Sequence, residues 1–409
     1  MPTLFRGGLV YDGERAPVAS HGVLVEGGKV LRFAALAEFD GFAGEVADTS
    51  GATLMPGLTD CHVHLCMGAE GDPGTAADKL LPGQVTMKAL ERAQASLAGG
   101  ITGLRDCGGK NFLEFAVRDA CNSGQLVGPS IRCSGKVICM TGGHGNRTGR
   151  IADGIDEVVR AVREQIHAGA DLIKIMATGG VMTPNVSPED AHYTPEEMKA
   201  GVGEAKRFRK SSASHAQGSE GILNAVRAGV DSIEHGIFMT DECVAEMLAR
   251  GTYLVPTIAA LKNILAMKAH IPAYMVEKTE RVKDRHERAV RMFYRAGGRL
   301  ALGTDAGTPF NQHGDNAREL EYLVDFGVEP LDALRFGTSA AADLTGLSGE
   351  GRIADGAWAD LLLVAGDPVA DIRMAARKEN HKLVMKRGIR VTGRTLSLGF
   401  AAPARMAAF

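Results

Sequence analysis

Apolar runs of strand length alternate with segments of helical periodicity through the middle of this chain. That alternation narrows the fold more than any other feature. Gly100–Asp106 reads as a strand after an Ala-rich helical stretch. Ile155–Ala168 carries apolar residues at helical spacing, stops at Gly169 and leads into the apolar run Asp171–Ala177. Thr194-Pro195-Glu196-Glu197 has the makings of a helix start: Thr as cap, Pro in the first turn and Glu closing a capping box. Ser212–His215, Val230–His235, Thr252–Pro256 and Arg299–Asp305 are further strands. Strands alternating with helices over about 250 residues predict a parallel sheet with helical crossovers, and eight strands predict closure into a (β/α)8 TIM barrel.

The two ends differ from the middle. Gly22–Leu31 reads as a hairpin turning on Gly27-Gly28. Asp360–Val364 and Lys382–Val391 read as strands. The expected organisation is therefore a catalytic barrel over 55–349 and a small composite β-sandwich domain built from 1–54 and 350–409.

A chain of 409 residues with 45% hydrophobic and 23% charged residues has an ordinary globular composition. Its formal net charge of −3, without a basic run, argues against nucleic acid or an anionic membrane as the main partner. The N-terminus lacks a charged-then-apolar leader pattern, and no apolar run is long enough to span a bilayer. Seven scattered cysteines without a C-x-x-C pair read as reduced, buried thiols of a cytoplasmic protein.

Chemistry gathers at the strand ends. Thr53–Asp60 runs into Cys61-His62-Val63-His64-Leu65. Residues i and i+2 of a strand face the same way, so His62 and His64 can grip one metal ion, while Cys61 faces away into packing. His215, His235 and Asp305 end three later strands, and barrel strand ends converge on one face. Lys174 lies between Ile173 and Ile175 in a strand that should be buried. A buried ammonium costs several kcal/mol unless paired. Either a neutral amine binding metal or a carbamate formed with CO2 would relieve that cost, and the carbamate could bridge two cations.

These residues resemble the amidohydrolase superfamily, in particular its prolidase-like and dipeptidase-like branch. The resemblance rests on Pro56–His64, Lys174, His215, Ile233-Glu234-His235-Gly236 and Gly303–Pro309, with Gly351-Arg352-Ile353 and Gly356–Leu362 downstream. It implies two divalent ions, for which zinc fits. His62, His64 and Asp305 would hold the more buried ion, and His215 and His235 the other. A carboxylated Lys174 and a water or hydroxide would bridge them. Asp305 would shuttle a proton from the attacking hydroxide to the leaving amine.

Thr141-Gly142-Gly143-His144-Gly145 follows the third strand, and His144 is the candidate donor to the substrate carbonyl oxygen. Val181, Met182 and Tyr193 are candidate pocket residues with loop packing as the alternative, and His313 is one with solvation as its alternative. His21, His167, His270, His286 and His381 read as bystanders, and Glu277–Arg299 as a solvated outer helix face. Two positions depart from the family pattern: Ser339-Ala340 where Asn-Ala is frequent, and Gln217 where His is common.

The expected activity is hydrolysis of an amide bond in a small molecule, a dipeptide or N-acyl amino acid, including toxin-like N-acyl aromatic amino acids. The alternatives are hydrolysis of a cyclic amide, imine or urea and, in another class, a metal-binding protein without catalysis. The resemblance also implies a homo-oligomer.

Overall fold

The strand-and-helix alternation is realised as an α/β architecture in the computed structural model, which describes residues 2–392. Leu58–Val63, Ile101–Asp106 and Ser130–Cys133 pair in parallel. Ile138–Cys139, Leu172–Met176, Ser211–Ala216, Ser232–His235 and Tyr253–Val255 form a second parallel set, edged by Arg150–Ile151.

Main-chain hydrogen bonds link the two sets. The Asp171 N–H donates to the Cys133 carbonyl at 2.8 Å. On the other side, residues 299–306 run between Tyr253–Val255 and Leu58–Val63. Ala301 N–H donates to Leu254 at 3.0 Å, Cys61 N–H to Leu302 at 2.8 Å and Asp305 N–H to His62 at 2.7 Å. This segment was expected to be a regular eighth strand, but it pairs only at Leu300 and Ala306. Two features break the ladder: Leu302 N–H turns to the Phe336 carbonyl, and Asp305 adopts φ +63°.

The helices start and stop where their sequences direct. Ile155–Ala168 ends on Gly169 at φ +100°, a left-handed conformation that glycine adopts without a Cβ clash. Pro195–Arg207 begins with the Thr194–Glu197 capping box. The charged helix Ala273–Arg295 is not wholly solvated. Met275, Val282, His286, Ala289, Val290 and Phe293 recur on one buried face.

The terminal segments build two further sheets. Thr3–Arg6 lies between His21–Glu26 and Glu45–Asp48, and His21–Glu26 turns through Gly27-Gly28 into Lys29–Ala35. In the other sheet Ala52–Pro56 sits between Leu9–Val10 and Leu361–Ala365, followed by His381–Lys386 and Ile389–Arg390. Phe5, Val23, Val25, Leu54, Leu361 and Met385 pack in one apolar cluster drawn from both sheets. Gly57 hands the chain from Pro56 in this sheet to Leu58 among the parallel strands, and a Cβ there would collide with Thr102. Among the described residues, no helix is long and apolar enough to cross a membrane.

Candidate metal centre

Four imidazoles and one carboxylate meet at the C-terminal ends of the parallel strands. Each ring gives one nitrogen to an outer acceptor. His62 Nδ1 donates to Glu234 Oε2 at 2.8 Å, and His64 Nδ1 donates to the Gly108 carbonyl at 2.9 Å. His215 Nε2 donates to the Gly179 carbonyl at 2.8 Å. His235 Nδ1 donates to Thr257 Oγ1 at 2.6 Å, since that hydroxyl spends its own proton on the Pro256 carbonyl at 2.6 Å. A neutral imidazole with one nitrogen donating carries its lone pair on the other. The remaining nitrogens of all four rings are therefore free to ligate, and their outer acceptors hold the rings in orientation. Neighbouring centroids are 5.3 Å (His62–His64), 5.4 Å (His62–His235) and 4.6 Å (His215–His235) apart.

Asp305 faces this group. Its Oδ1 lies 3.1 Å from His64 Nε2 and 3.4 Å from His62 Nε2, yet it is buried without a hydrogen-bond partner. An oxygen lone pair opposed by nitrogen lone pairs is repulsive alone and satisfied by a shared cation. The donor atoms of His62, His235 and Asp305 lie within 4.8 Å of one another. The residues thus fit a metal ion. Burial holds His62, His215 and His235 below the usual imidazole range, His235 at about 3. At His64 burial is outweighed by the Asp305 carboxylate, which raises it. There a proton and a cation compete for the same lone pair.

Lys174 is 1% exposed, with Nζ 3.4 Å from His62 Nε2. Among the described residues, no carboxylate lies within ion-pair distance of it.

Backbone irregularity aims two of these side chains. Strand alternation would turn Glu234 and His235 to opposite faces. His235 adopts φ +73°, which brings both inward. Glu234 accepts from Ser232 at 2.6 Å and Arg105 at 2.9 Å besides His62. It therefore supports His62, although Glu234, Cys107 and His62 also lie close enough together to resemble a ligand set. Asp60 joins the His62 strand to the Asp305 segment. It accepts from His62 N–H, Thr304 N–H, Thr304 Oγ1 and Asn316 Nδ2 at 2.6–3.1 Å. Burial pushes its carboxyl up to about 6 against those four donors.

A cavity of about 710 Å³ opens over the group. Val181, Met182, Ile237, Leu261, Ile264 and Met275 form its apolar wall. His144 stacks on His215 at 4.4 Å, bonds Thr183 Oγ1 through Nδ1 at 2.7 Å and is held by burial at about 3.

Two expected pocket residues lie elsewhere. Tyr193 sits in the main core, packed with its apolar cluster and with its hydroxyl donating to the Ala152 carbonyl at 2.9 Å. His313 is tied behind the wall, with Nε2 3.3 Å from the Met67 carbonyl. Conversely, His286, read from the sequence as a bystander, is 1% exposed and lines the cavity from the charged helix. His167 and His270 are exposed, His21 stacks on Phe33 at 5.2 Å and His381 donates to the Ala375 carbonyl at 2.9 Å.

Gln217 lines the cavity with its Oε1 buried and unpartnered, while Ser339 donates to the Gly13 carbonyl at 2.7 Å, away from the site. Sequence reasoning missed Glu234, Asp60, Thr183 and His192. The last is a buried imidazole beside Gly143 with neither ring nitrogen bonded. Only Glu234 and Asp60 carried a signal, as acids inside strands too apolar to expose them.

A profile of the amidohydrolase family matches residues 53–391. Ochratoxinase of Aspergillus niger is 31% identical over 411 aligned residues, covering 89% of this chain and 84% of that protein. The crystal structure of a Xaa-Pro dipeptidase with bound methionine in its active site superposes with a TM-score of 0.87 and 32% identity, covering 96% of this chain and 100% of the other. The A. niger ochratoxinase structure gives 0.83 and 28%, over 95% of each chain. With its match extending across the strands that carry the histidines, Lys174 and Asp305, the chain belongs to the amidohydrolase family, in its prolidase-like branch, and is a hydrolase of carbon–nitrogen bonds.

Proposed function

We propose that this chain is a binuclear metal-dependent amidohydrolase that cleaves the amide bond of a dipeptide or an N-acyl amino acid. The observation that carries this reading is the common arrangement of His62, His64, His215 and His235, each with its outer nitrogen bound to an acceptor and its inner one turned toward the site. His62, His64 and Asp305 would hold one ion, and His215 and His235 the second. Imidazole and carboxylate donors suit zinc. Lys174, converted to a carbamate, would supply a further carboxylate to the ions, a reading supported by its burial without an acidic partner. When bound, the ions supply an acidified water and Lewis acidity toward a carbonyl oxygen.

The side chains divide the remaining work. Asp305 accepts a proton during attack and returns it to the leaving nitrogen. With the Thr183 hydroxyl as donor to Nδ1 of His144, 2.7 Å away, the ring proton would sit on Nε2. That N–H donates to the substrate carbonyl oxygen as negative charge develops there. The cavity volume is ordinary for a small-molecule site, which spans roughly 300–1,000 Å³. Its apolar wall favours a bulky apolar or aromatic side chain beside the amide. The likeness to a Xaa-Pro dipeptidase and to ochratoxinase supports an amide substrate of amino-acid type.

A screen of dipeptides and N-acyl amino acids tests this. The expected result is release of free amino acid that a chelator abolishes and zinc restores. Metal-replete protein that is inert on that library and opens cyclic amides or cleaves ureas would overturn it.

The wider architecture follows on the same footing. The Asp171–Cys133, Ala301–Leu254 and Cys61–Leu302 bonds support closure of the parallel strands into a (β/α)8 barrel. The shared apolar cluster supports a composite β-sandwich of 1–54 and 350–409 beside a 55–349 barrel, with the handover at Gly57 because Met55 and Pro56 still pair with Leu362 and Leu361. Residues 1 and 393–409 of those ranges lie outside the described residues. Seven unpaired, buried cysteines support a reducing, cytoplasmic setting. A homo-oligomer acting on a small molecule, without nucleic acid or membrane, completes the reading; light scattering tests the assembly.

A further inference from the structure

The loop 180–187 forms part of the cavity wall and carries the hydroxyl that orients His144. It contains no regular element, and Asn185 within it adopts φ +62°. Among the described residues, no backbone N–H reaches the carbonyls of Gly180, Met182, Thr183 or Val186. Their partners come from the Ala273–Arg295 helix. Lys278 Nζ donates to Thr183 at 2.6 Å and Val186 at 2.7 Å and reaches Gly180 at 3.4 Å. One turn earlier, the Tyr274 hydroxyl donates to Met182 at 3.0 Å. One turn later, Arg281 donates to Ser187 Oγ at 3.0 Å. Residues i, i+4 and i+7 share a helix face, so these three form one stripe laid against the loop.

Lys278 is the centre of that stripe. An ammonium has three N–H donors, and here all three go to carbonyls of one loop. Among the described residues, no carboxylate comes within ion-pair distance to compensate it. A surface lysine left to solvent would gain nothing from half-burial in such a place. The same residue Thr183 gives its carbonyl to Lys278 and its hydroxyl to Nδ1 of His144. The His144 ring is wedged between His215 and Gly180, where a Cβ on Gly180 would come within 2.7 Å of Cε1 and Nε2. Small movements of the loop therefore reach the ring directly.

We propose that Lys278 is a positioning residue: by gathering the carbonyls of Gly180, Thr183 and Val186 it fixes the loop that aims His144 at the substrate carbonyl and sets the Val181–Met182 wall. This rests on the role proposed for His144. It gives a helix whose charge pattern reads as solvent-facing a part in substrate recognition through the loop it holds.

The test compares Lys278→Met, Lys278→Arg and Thr183→Val, alone and as the Lys278→Met/Thr183→Val pair, in the full-length zinc-loaded protein. Hydrogen–deuterium exchange of the 178–190 segment needs no substrate. It should rise severalfold in Lys278→Met and stay near wild type in Lys278→Arg, with zinc content unchanged in both. Kinetics use hippuryl-phenylalanine as the probe. Lys278→Met and Thr183→Val should each lower kcat/KM by roughly tenfold or more, and the pair should lose less than the product of the two single losses, since both act in part through the Thr183–His144 contact.

Unchanged loop exchange in Lys278→Met, or losses that multiply in the pair, would overturn the proposal. Wild-type protein inert on the probe would count against the amide-hydrolase reading, while the exchange arm still decides the role of Lys278. If Lys278→Met does not fold, Tyr274→Phe removes the neighbouring tether and must loosen the same segment.

Discussion

Glu234 stands 2.8 Å from Nδ1 of His62, and its second oxygen is held 2.9 Å from the Arg105 guanidinium. Arg105 also donates to the Cys61 carbonyl and to Ser232 Oγ. A charged pair buried this completely is retained only when every polar atom is engaged. Here the pair orients an imidazole and raises its basicity toward a cation.

Glu234→Gln should keep the fold and weaken the metal site. A Gln amide can present its NH2 group to Nδ1 and invert the His62 tautomer. Loss of such a partner costs about 10–100-fold in metal affinity. Competition with a chromophoric chelator measures this, and an affinity within twofold of wild type would sink the idea.

Asp305→Asn removes the proposed proton acceptor while leaving a donor atom in place. The expected loss in kcat is about 10²–10⁴-fold. Steady-state kinetics should be read beside metal analysis, because a variant that loses activity only in proportion to lost zinc would show that Asp305 acts as a ligand alone.

Asp60→Ala would strip the acceptor from His62 N–H, Thr304 N–H, Thr304 Oγ1 and Asn316 Nδ2. Each buried unsatisfied group costs about 1–3 kcal/mol, so the total loss should exceed about 3 kcal/mol. Urea unfolding should show it as a lower midpoint, and an unchanged midpoint would mean that water takes the place of the carboxylate.

Burial lowers His286 to about 4. The unfolded ring titrates near 6.5, so between those values the unfolded state binds the extra proton. The stability associated with the neutral ring is full above about pH 6.5 and is lost as pH falls through 4, by at most about 3 kcal/mol. His286→Phe should therefore lose less stability than wild type between pH 7 and pH 4.5 in chemical denaturation. Parallel losses in both proteins would refute the assignment.

Removing metal should lower the melting temperature as well as the activity. A ligand present at a thousand times its Kd stabilises the native state by about 4 kcal/mol. Calorimetry before and after chelation, then after zinc, should show a reversible shift; no shift would mean that the donor set binds no ion tightly.

The convergence of the candidate ligands was legible in the sequence because strand alternation and strand ends are local properties. His62 and His64 at i and i+2, and an apolar run interrupted by Lys174, carry their own geometry. The inward turn of His235 was legible only as an outcome, since φ +73° depends on the Thr257 and Glu234 partners that reward it. Tyr193 and His313 misled because a loop residue near a strand end in sequence can be carried behind the wall by the next turn. His286 and Lys278 were hidden in a run of Lys, Arg and Glu. There the composition describes the solvated side of the helix and says nothing of the stripe that faces the loop.

The strand Ala52–Pro56 has biosynthetic consequences through its partner. It pairs with Leu361–Ala365, so on the ribosome it waits for nearly the whole chain to be made. At about 5–20 residues per second, that is roughly fifteen seconds to a minute with one edge of an apolar strand unpaired. Nascent chains arrested before Leu361 should therefore be markedly more sensitive to protease around Thr53 than chains released after Ala365.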